Sequence, residues 1–287
     1  AHRRRLRSTV VAITGSTGKT TTKDLVKAAL AAKYRTLATE GNQNNELGVP
    51  LTILAADANT EMLVVEMGMR GAGQIAELCD IAEPDHGLVT NVGTSHIEIL
   101  GSESAIASAK GELVESLKPE GRAYLNGDDA RTAGLSVRST ARVTTYGLGS
   151  TSDVYATDID LDEMSRPSFT ATLASGESHG IHLTVSGRHN VYNALAALAV
   201  GEALDVPIED MATALSNASM TARRMEVFRT AGGLTILNDA YNANPASMRA
   251  AIDALAGMRG EGRRVAVLGD MFELGSFSEL AHFRLGG

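Results

Sequence analysis

Residues 8–22, STVVAITGSTGKTTT, decide the fold. The first seven form an apolar run bounded by polar residues, the pattern of a buried strand. From Lys19 to position 32, Leu25, Ala28, Ala29 and Ala32 recur at helical spacing. Between them lies Gly15-Ser16-Thr17-Gly18, so strand, glycine turn and helix follow without a gap. Glycines let the backbone wrap closely round an anion, and the helix N-terminus presents unpaired amides to it. The segment therefore reads as a phosphate-binding loop, with Thr21 also among its candidate nucleotide-binding residues. Lys19 would reach the β- and γ-phosphates, and the Thr20 hydroxyl would bind Mg²⁺. The common long form has a glycine where Ile13 stands, so the match is to the shorter G-x-x-G-K-T. Without its flanks, such a Gly/Thr turn would be simple punctuation.

Strands and helices alternate outward from this point. Residues 61–66 (EMLVVE), 87–91 (GLVTN) and 122–126 read as strands. Residues 72–79 and 102–117 read as helices, the second with Ser102 as cap, Glu103 in its first turn and Lys118-Pro119 at its end. Such alternation predicts an α/β fold, a P-loop-type, mostly parallel sheet with both faces covered. After Arg142 the pattern changes. Residues 143–146, 154–159, 168–173 and 180–185 read as short strands, which suggests an antiparallel addition to the sheet. Helices at 190–204 and 208–217 close this unit, Pro207 preceding the second. A second unit begins near Thr221, with strands at 225–229 and 234–237, a helix at 245–258 and a buried strand at 264–268 (RVAVL). That reads as the start of a Rossmann-like α/β domain, dividing the chain into 1–220 and 221–287.

A length of 287 residues suits two domains at about 150 residues each. Hydrophobic residues at 44% and charged residues at 21% exclude a disordered or collagen-like chain. There are 26 basic and 34 acidic side chains, a formal net charge of −8. Binding nucleic acid through bulk charge is disfavoured. An anionic ligand must be met by backbone amides and individual lysines or arginines. Cys79 is the single cysteine, so no internal disulfide forms, which fits a reducing compartment. No stretch approaches the roughly 18 apolar residues of a spanning helix. The basic run at 1–7 (AHRRRLR) precedes a strand and reads as a solvated linker. The chain lacks an initial Met and stops soon after the expected last strand, as a piece of a longer protein would.

Further candidates stand at the ends of the strands. Glu66 ends the second one, where a carboxylate either holds Mg²⁺ beside the phosphate loop or faces solvent. His96 follows the third and is either a loop residue or a ligand. Lys110 lies mid-helix, where a solvated lysine is the default. Arg223-Arg224 and the run from Asp239 to Pro245 flank the second unit's strands. Arginine can neutralise charge on a transferred phosphoryl group, and a carboxylate after a strand can take ribose hydroxyls. A linker and a turn fit the same residues.

Taken together, these motifs resemble the Mur ligase family of ATP-dependent amide ligases. The likeness rests on the phosphate loop, Glu66, the 91–96 segment, Lys110, Gly187-Arg188-His189-Asn190 with Asn193, and Arg224-Met225-Glu226. The runs at 42–50 (NQNNELGVP), 109–112 (AKGE), 242–248 (NANPASM) and 269–275 (GDMFELG) point to the branch that joins D-alanyl-D-alanine to UDP-N-acetylmuramoyl-tripeptide. The resemblance implies cytoplasmic peptidoglycan precursor synthesis, and with it cell-wall biogenesis, cell shape and division. It implies that ATP phosphorylates the tripeptide carboxylate and that the dipeptide amine attacks the acyl phosphate. It makes Lys19, His96, Lys110 and Arg224 catalytic, and Thr20, Glu66, His96 and Lys110 Mg²⁺ ligands, with Lys110 carbamylated. It assigns Asn190 and Asn193 to adenine, Arg224 to the γ-phosphate and Asp239 to ribose. Arg223 stands where the family often has glycine. The family pattern also places a domain before residue 1 and more chain after residue 287. The competing readings are a P-loop NTPase or kinase, a folylpolyglutamate synthetase-like ligase, and a nucleotide-binding fragment that is catalytically incomplete.

Overall fold

In β1 (Thr9–Thr14), Val10 and Ala12 face one side while Val11 and Ile13 face the other, and all four are fully buried. A strand apolar on both sides must lie inside a covered sheet. β1 does so, pairing in parallel with β3 (Met62–Glu66) and β4 (His86–Val89). The computed structural model describes residues 2–260 and 262–286. Its main sheet has nine strands, adding β2 (Thr36–Ala38), β5 (Arg122–Asn126), β6 (Arg142–Gly147), β7 (Val154–Leu161), β8 (Pro167–Thr172) and β9 (Ser178–His182). The strand order is β2-β3-β1-β4-β5-β6-β7-β8-β9.

The helices divide between the faces. α1 (Lys19–Ala31), α7 (Asn190–Ala203) and α8 (Ile208–Ser216) supply buried residues to the core on the Val11/Ile13 side. α2 (Gly48–Ala55), α3 (Gln74–Ala82), α4 (Ile97–Leu100) and α5 (Glu103–Glu115) cover the Val10/Ala12 side. α6 (Ala130–Ala133) follows β5. Small residues bring α7 close to its neighbours: a Cβ on Gly201 would collide with Met211 of α8. No helix of the described residues is long and apolar enough to cross a membrane.

The α/β class and the mostly parallel sheet are as expected. The antiparallel addition begins later than expected. β6 and β7 run parallel, overlapping only at Tyr146↔Val154 and Gly147↔Tyr155, and β8 is the first antiparallel strand. The short 148–153 link cannot carry a full parallel return, so the end of one strand simply meets the start of the next. The basic run is not a free linker either. Arg3 donates to the Ala82 carbonyl (2.7 Å) and pairs with Asp85 (3.7 Å).

Beyond α8, β10 (Glu226–Arg229) and β11 (Thr235–Asn238) form an antiparallel hairpin, followed by α9 (Pro245–Gly257) and α10 (Ser278–Gly286). The expected buried strand at 264–268 is absent. Val265 and Val267 are exposed, the latter at 93%. An apolar run becomes a strand only where a sheet edge accepts its amides. β10 and β11 pair only with each other, and the run joins no ladder among the described residues.

Candidate functional site

The loop between β1 and α1 needs both its glycines. Gly15 has φ 149° and Gly18 has φ 77°. A Cβ at Gly15 would collide with Thr90 Oγ1, and one at Gly18 would come within 2.8 Å of Asn193 Oδ1. The segment after β4 clamps the loop. Thr17 N–H donates to Asn91 Oδ1 (3.0 Å), Asn91 Nδ2 donates to Thr17 Oγ1 (2.9 Å), and Gly93 N–H donates to Ser16 Oγ (2.8 Å). Lys19 Nζ folds back to donate to the Gly15 carbonyl (2.8 Å). Burial lowers the Lys19 pKa; nearby Glu66 opposes the shift, and Arg224 reinforces it.

Ser16, Thr17, Gly18, Lys19 and Thr20 open onto a cavity of about 690 Å³ that also receives Glu66, His96, Lys110, Arg224 and Asp239. Glu66 is 1% exposed. Its Oε1 accepts from Asn44 Nδ2 (2.7 Å), and its Oε2 is buried without a partner. A buried carboxylate oxygen with no donor is a costly feature that a cation would satisfy. No cluster of three or more acidic, His or Cys ligands occurs among the described residues. One carboxylate and the Thr20 hydroxyl still fit Mg²⁺, which is commonly held by one or two carboxylates plus substrate phosphates and water.

Lys110 departs from the solvated default. It lies on the buried face of α5 with Ile106 and Leu113, and is 2% exposed. It has no hydrogen-bond or ion-pair partner among the described residues. Burial, and then Lys19, hold its pKa well below the usual lysine value, which favours the neutral amine. His96 adopts a left-handed conformation (φ 64°) at the start of α4. Its Nδ1 lies 2.6 Å from Glu273 Oε2, close enough for an ion pair but not aligned as a hydrogen bond. Burial lowers the His96 pKa, and Glu273 opposes that shift.

Arg224 arrives from the second unit. One guanidinium nitrogen donates to Thr20 Oγ1 (3.2 Å), Cζ lies 3.9 Å from the Tyr241 ring centroid, and Nε is buried without a partner. Arg223 has φ 61°, a left-handed conformation that glycine adopts without strain and arginine does not. Asp239 Oδ1 accepts from Met225 N–H (3.1 Å). Burial pushes its pKa up to about 6 against the opposing pulls of that N–H and Arg224.

Gly15, Thr21, Asn190 and Asn193 do not line the cavity. Asn190 Nδ2 donates to the Ser186 carbonyl (2.7 Å), and Asn193 Nδ2 donates to Asn190 Oδ1 (2.7 Å). Asn193 Oδ1 accepts from Thr22 Oγ1 (3.0 Å). Asn193 thus braces α1 at Thr22, and Asn190 holds Asn193 in place. The sequence reading did not single out Asn44, Tyr241 or Glu273. They lie in the Asn-rich 42–45 run, the 239–245 run and the 269–275 motif, but no spacing rule links these runs to Glu66, Arg224 or His96.

Residues 13–201 match the Mur ligase middle domain, and residues 223–286 match the Mur ligase, glutamate ligase domain. The chain belongs to the Mur ligase family. It is 41% identical to the UDP-N-acetylmuramoyl-tripeptide–D-alanyl-D-alanine ligase of Bacillus subtilis (strain 168) over 286 residues, covering 100% of this chain and 61% of that enzyme. Among solved structures, MurF from Acinetobacter baumannii superposes with a TM-score of 0.92 at 35% identity, covering 99% of this chain and 62% of that one. MurF ligase from Thermotoga maritima in complex with ADP gives 0.86 at 30%, covering 99% and 66%. This Mur ligase chain therefore spans less than two thirds of the length of these relatives.

Proposed function

We propose that this Mur ligase chain carries the ATP-binding core, and residues 221–287 the first part of the C-terminal domain, of an amide ligase. That ligase joins D-alanyl-D-alanine to UDP-N-acetylmuramoyl-tripeptide in the cytoplasm. The observation that carries the reading is the buried, unpaired Lys110 opening onto the same cavity as Lys19, Glu66 and Arg224. A simple P-loop hydrolase has no use for a desolvated amine there.

Ligation brings a carboxylate to a triphosphate, so like charges must be neutralised at close range. Lys19 and the loop amides hold the β- and γ-phosphates, and Arg224 faces the charge that develops on the transferred phosphoryl group. Thr20 and Glu66 would hold Mg²⁺, which when bound adds positive charge at the phosphate oxygens. Asp239 accepts the ribose hydroxyls. The neutral Lys110 amine adds to CO₂, forming an N–C bond and releasing one proton, and so becomes an anionic oxygen donor suited to a hard cation. The tripeptide carboxylate takes the γ-phosphoryl group of ATP, releasing ADP, and the dipeptide amine then attacks the acyl carbon, losing a proton as inorganic phosphate leaves.

The test is phosphate release from Mg²⁺ and ATP with both substrates, either one or neither, with mass analysis of products. A pentapeptide product that needs both substrates is the expected result. Phosphate release indifferent to both substrates would assign the site to a P-loop hydrolase. Nucleotide binding without product would assign the chain to an incomplete ligase fragment.

A further inference from the structure

One buried charge pair plays no part in that chemistry. Lys23 Nζ lies 2.9 Å from Asp24 Oδ1 on α1, with side chains only 3% and 8% exposed. Burying an ion pair is costly, and an apolar pair would commonly be as stable. The contacts suggest why these charges are here. Asp24 Oδ2 accepts from Thr221 N–H (2.8 Å), where the chain crosses into the second unit. Lys23 Nζ donates to the Thr39 carbonyl (3.0 Å), and Thr39 Oγ1 accepts from Glu66 N–H (3.0 Å). The pair thus connects the crossing segment, α1 and the strand end that carries Glu66.

We propose that Asp24 is a positioning residue that tethers the 221–225 segment along α1, so that Arg224 reaches Thr20 of the phosphate loop. Thr20 and Asp24 lie one turn apart on α1 and share a face. The crossing segment meets that face twice, through Thr221 at Asp24 and through Arg224 at Thr20. Arg223 and Met225, either side of Arg224, have φ 61° and 52°. Left-handed backbone at two non-glycine residues is a conformation that must be held in place. Releasing the Thr221 amide frees one end of the strained stretch, and Arg224 loses its fixed reach. The proposal rests on the reading of Arg224 as the γ-phosphate partner.

Two measurements test it: amide hydrogen exchange across 221–226 without nucleotide, and affinities for Mg-ATP and Mg-ADP by calorimetry. In Asp24→Ala the Thr221 amide should exchange about ten-fold faster. Its preference for ATP over ADP should fall to that of Arg224→Ala, while ADP affinity stays within about three-fold, since the loop itself is untouched. Adding Asp24→Ala to Arg224→Ala should cost nothing further. Asp24→Asn keeps an acceptor for Thr221 and should retain both protection and preference. Thr221→Pro removes the donor and leaves the ion pair intact, so it decides the matter if Asp24→Ala does not fold. Unchanged exchange, or an intact ATP preference in Asp24→Ala beside a lost one in Arg224→Ala, overturns the tether. A wild-type chain with no ATP preference, unaffected by Arg224→Ala, overturns the γ-phosphate reading and the tether's purpose with it.

Discussion

Lys110 occupies a helix position that its neighbours Ile106 and Leu113 assign to the core, yet it is a lysine. Such a residue either finds an anion or loses its charge. With the carbamate as the proposed answer, Lys110→Ala should lower turnover of the ligation reaction by about a hundred-fold, the scale of removing one charge-stabilising group. Short carboxylic acids should restore part of it by supplying the missing oxygens. A ¹³C-carbonate-labelled wild-type chain should show a carbamate carbon signal that the variant lacks. Its absence would leave Lys110 without the proposed role. Lys19, Thr20 and Glu66 were legible because strand, turn and helix grammar places them locally. The spacing of Ile106 and Leu113 puts Lys110 on the buried face of α5, and the carbamate implied by the resemblance calls for a desolvated amine; what local pattern does not show is that this face opens onto the phosphate-loop cavity. Asn190 and Asn193, which the resemblance assigns to adenine, hydrogen-bond to Ser186, to each other and to Thr22.

The AKGE run does three separate jobs along one helix. Lys110 enters the cavity, and a Cβ at Gly111 would crowd the Arg138 guanidinium. Glu112 reaches across to α3, where Gly73 N–H donates to Oε1 (2.7 Å) and Ala76 N–H to Oε2 (3.1 Å). A carboxylate there satisfies orphan amides and faces the positive end of the helix. Glu112→Ala should therefore destabilise the fold by about 1–2 kcal/mol, read as a lower denaturation midpoint, with ADP affinity little changed. A large loss of ADP affinity instead would place Glu112 in the site. The helix announced by its cap was legible to within a few residues, with Ser102 accepting from Ala105 N–H, and the helix expected at 245–258 begins at Pro245, where the structure adds Asn244 as a cap whose Oδ1 accepts from Ser247 N–H. The short β2 was not anticipated. The 264–268 run was misread because a strand is a statement about its neighbour, and local pattern does not say whether one is there.

Across the molecule, the nine-stranded sheet is packed on both faces, whereas among the described residues the second unit's own buried cluster is small, built on Met248, Met271 and Leu274, while its Met225 and Ala254 pack into the main core. Opening free energy follows buried apolar contact, so the second unit should open first. Limited proteolysis should cut within 259–275 before any site in the main sheet, and Mg-ATP should slow that cut, because Arg224 and Asp239 belong to the same cavity. Initial cleavage within the sheet would contradict this ranking. The overall class was legible from alternation alone, while the joining of the units through Thr221, Arg224 and Glu273 was not, because each contact spans a large part of the chain. Long separation also has a consequence in time. The phosphate loop is encoded near the start of the chain, but Gly18 and Thr22 rest on Asn193, 171 residues beyond Thr22. At ~5–20 residues per second, a ribosome takes roughly 10–35 s to cover that interval. The nascent chain thus carries an unfinished nucleotide site until α7 emerges, and the loop gains its final shape only after the sheet beneath it has been synthesised.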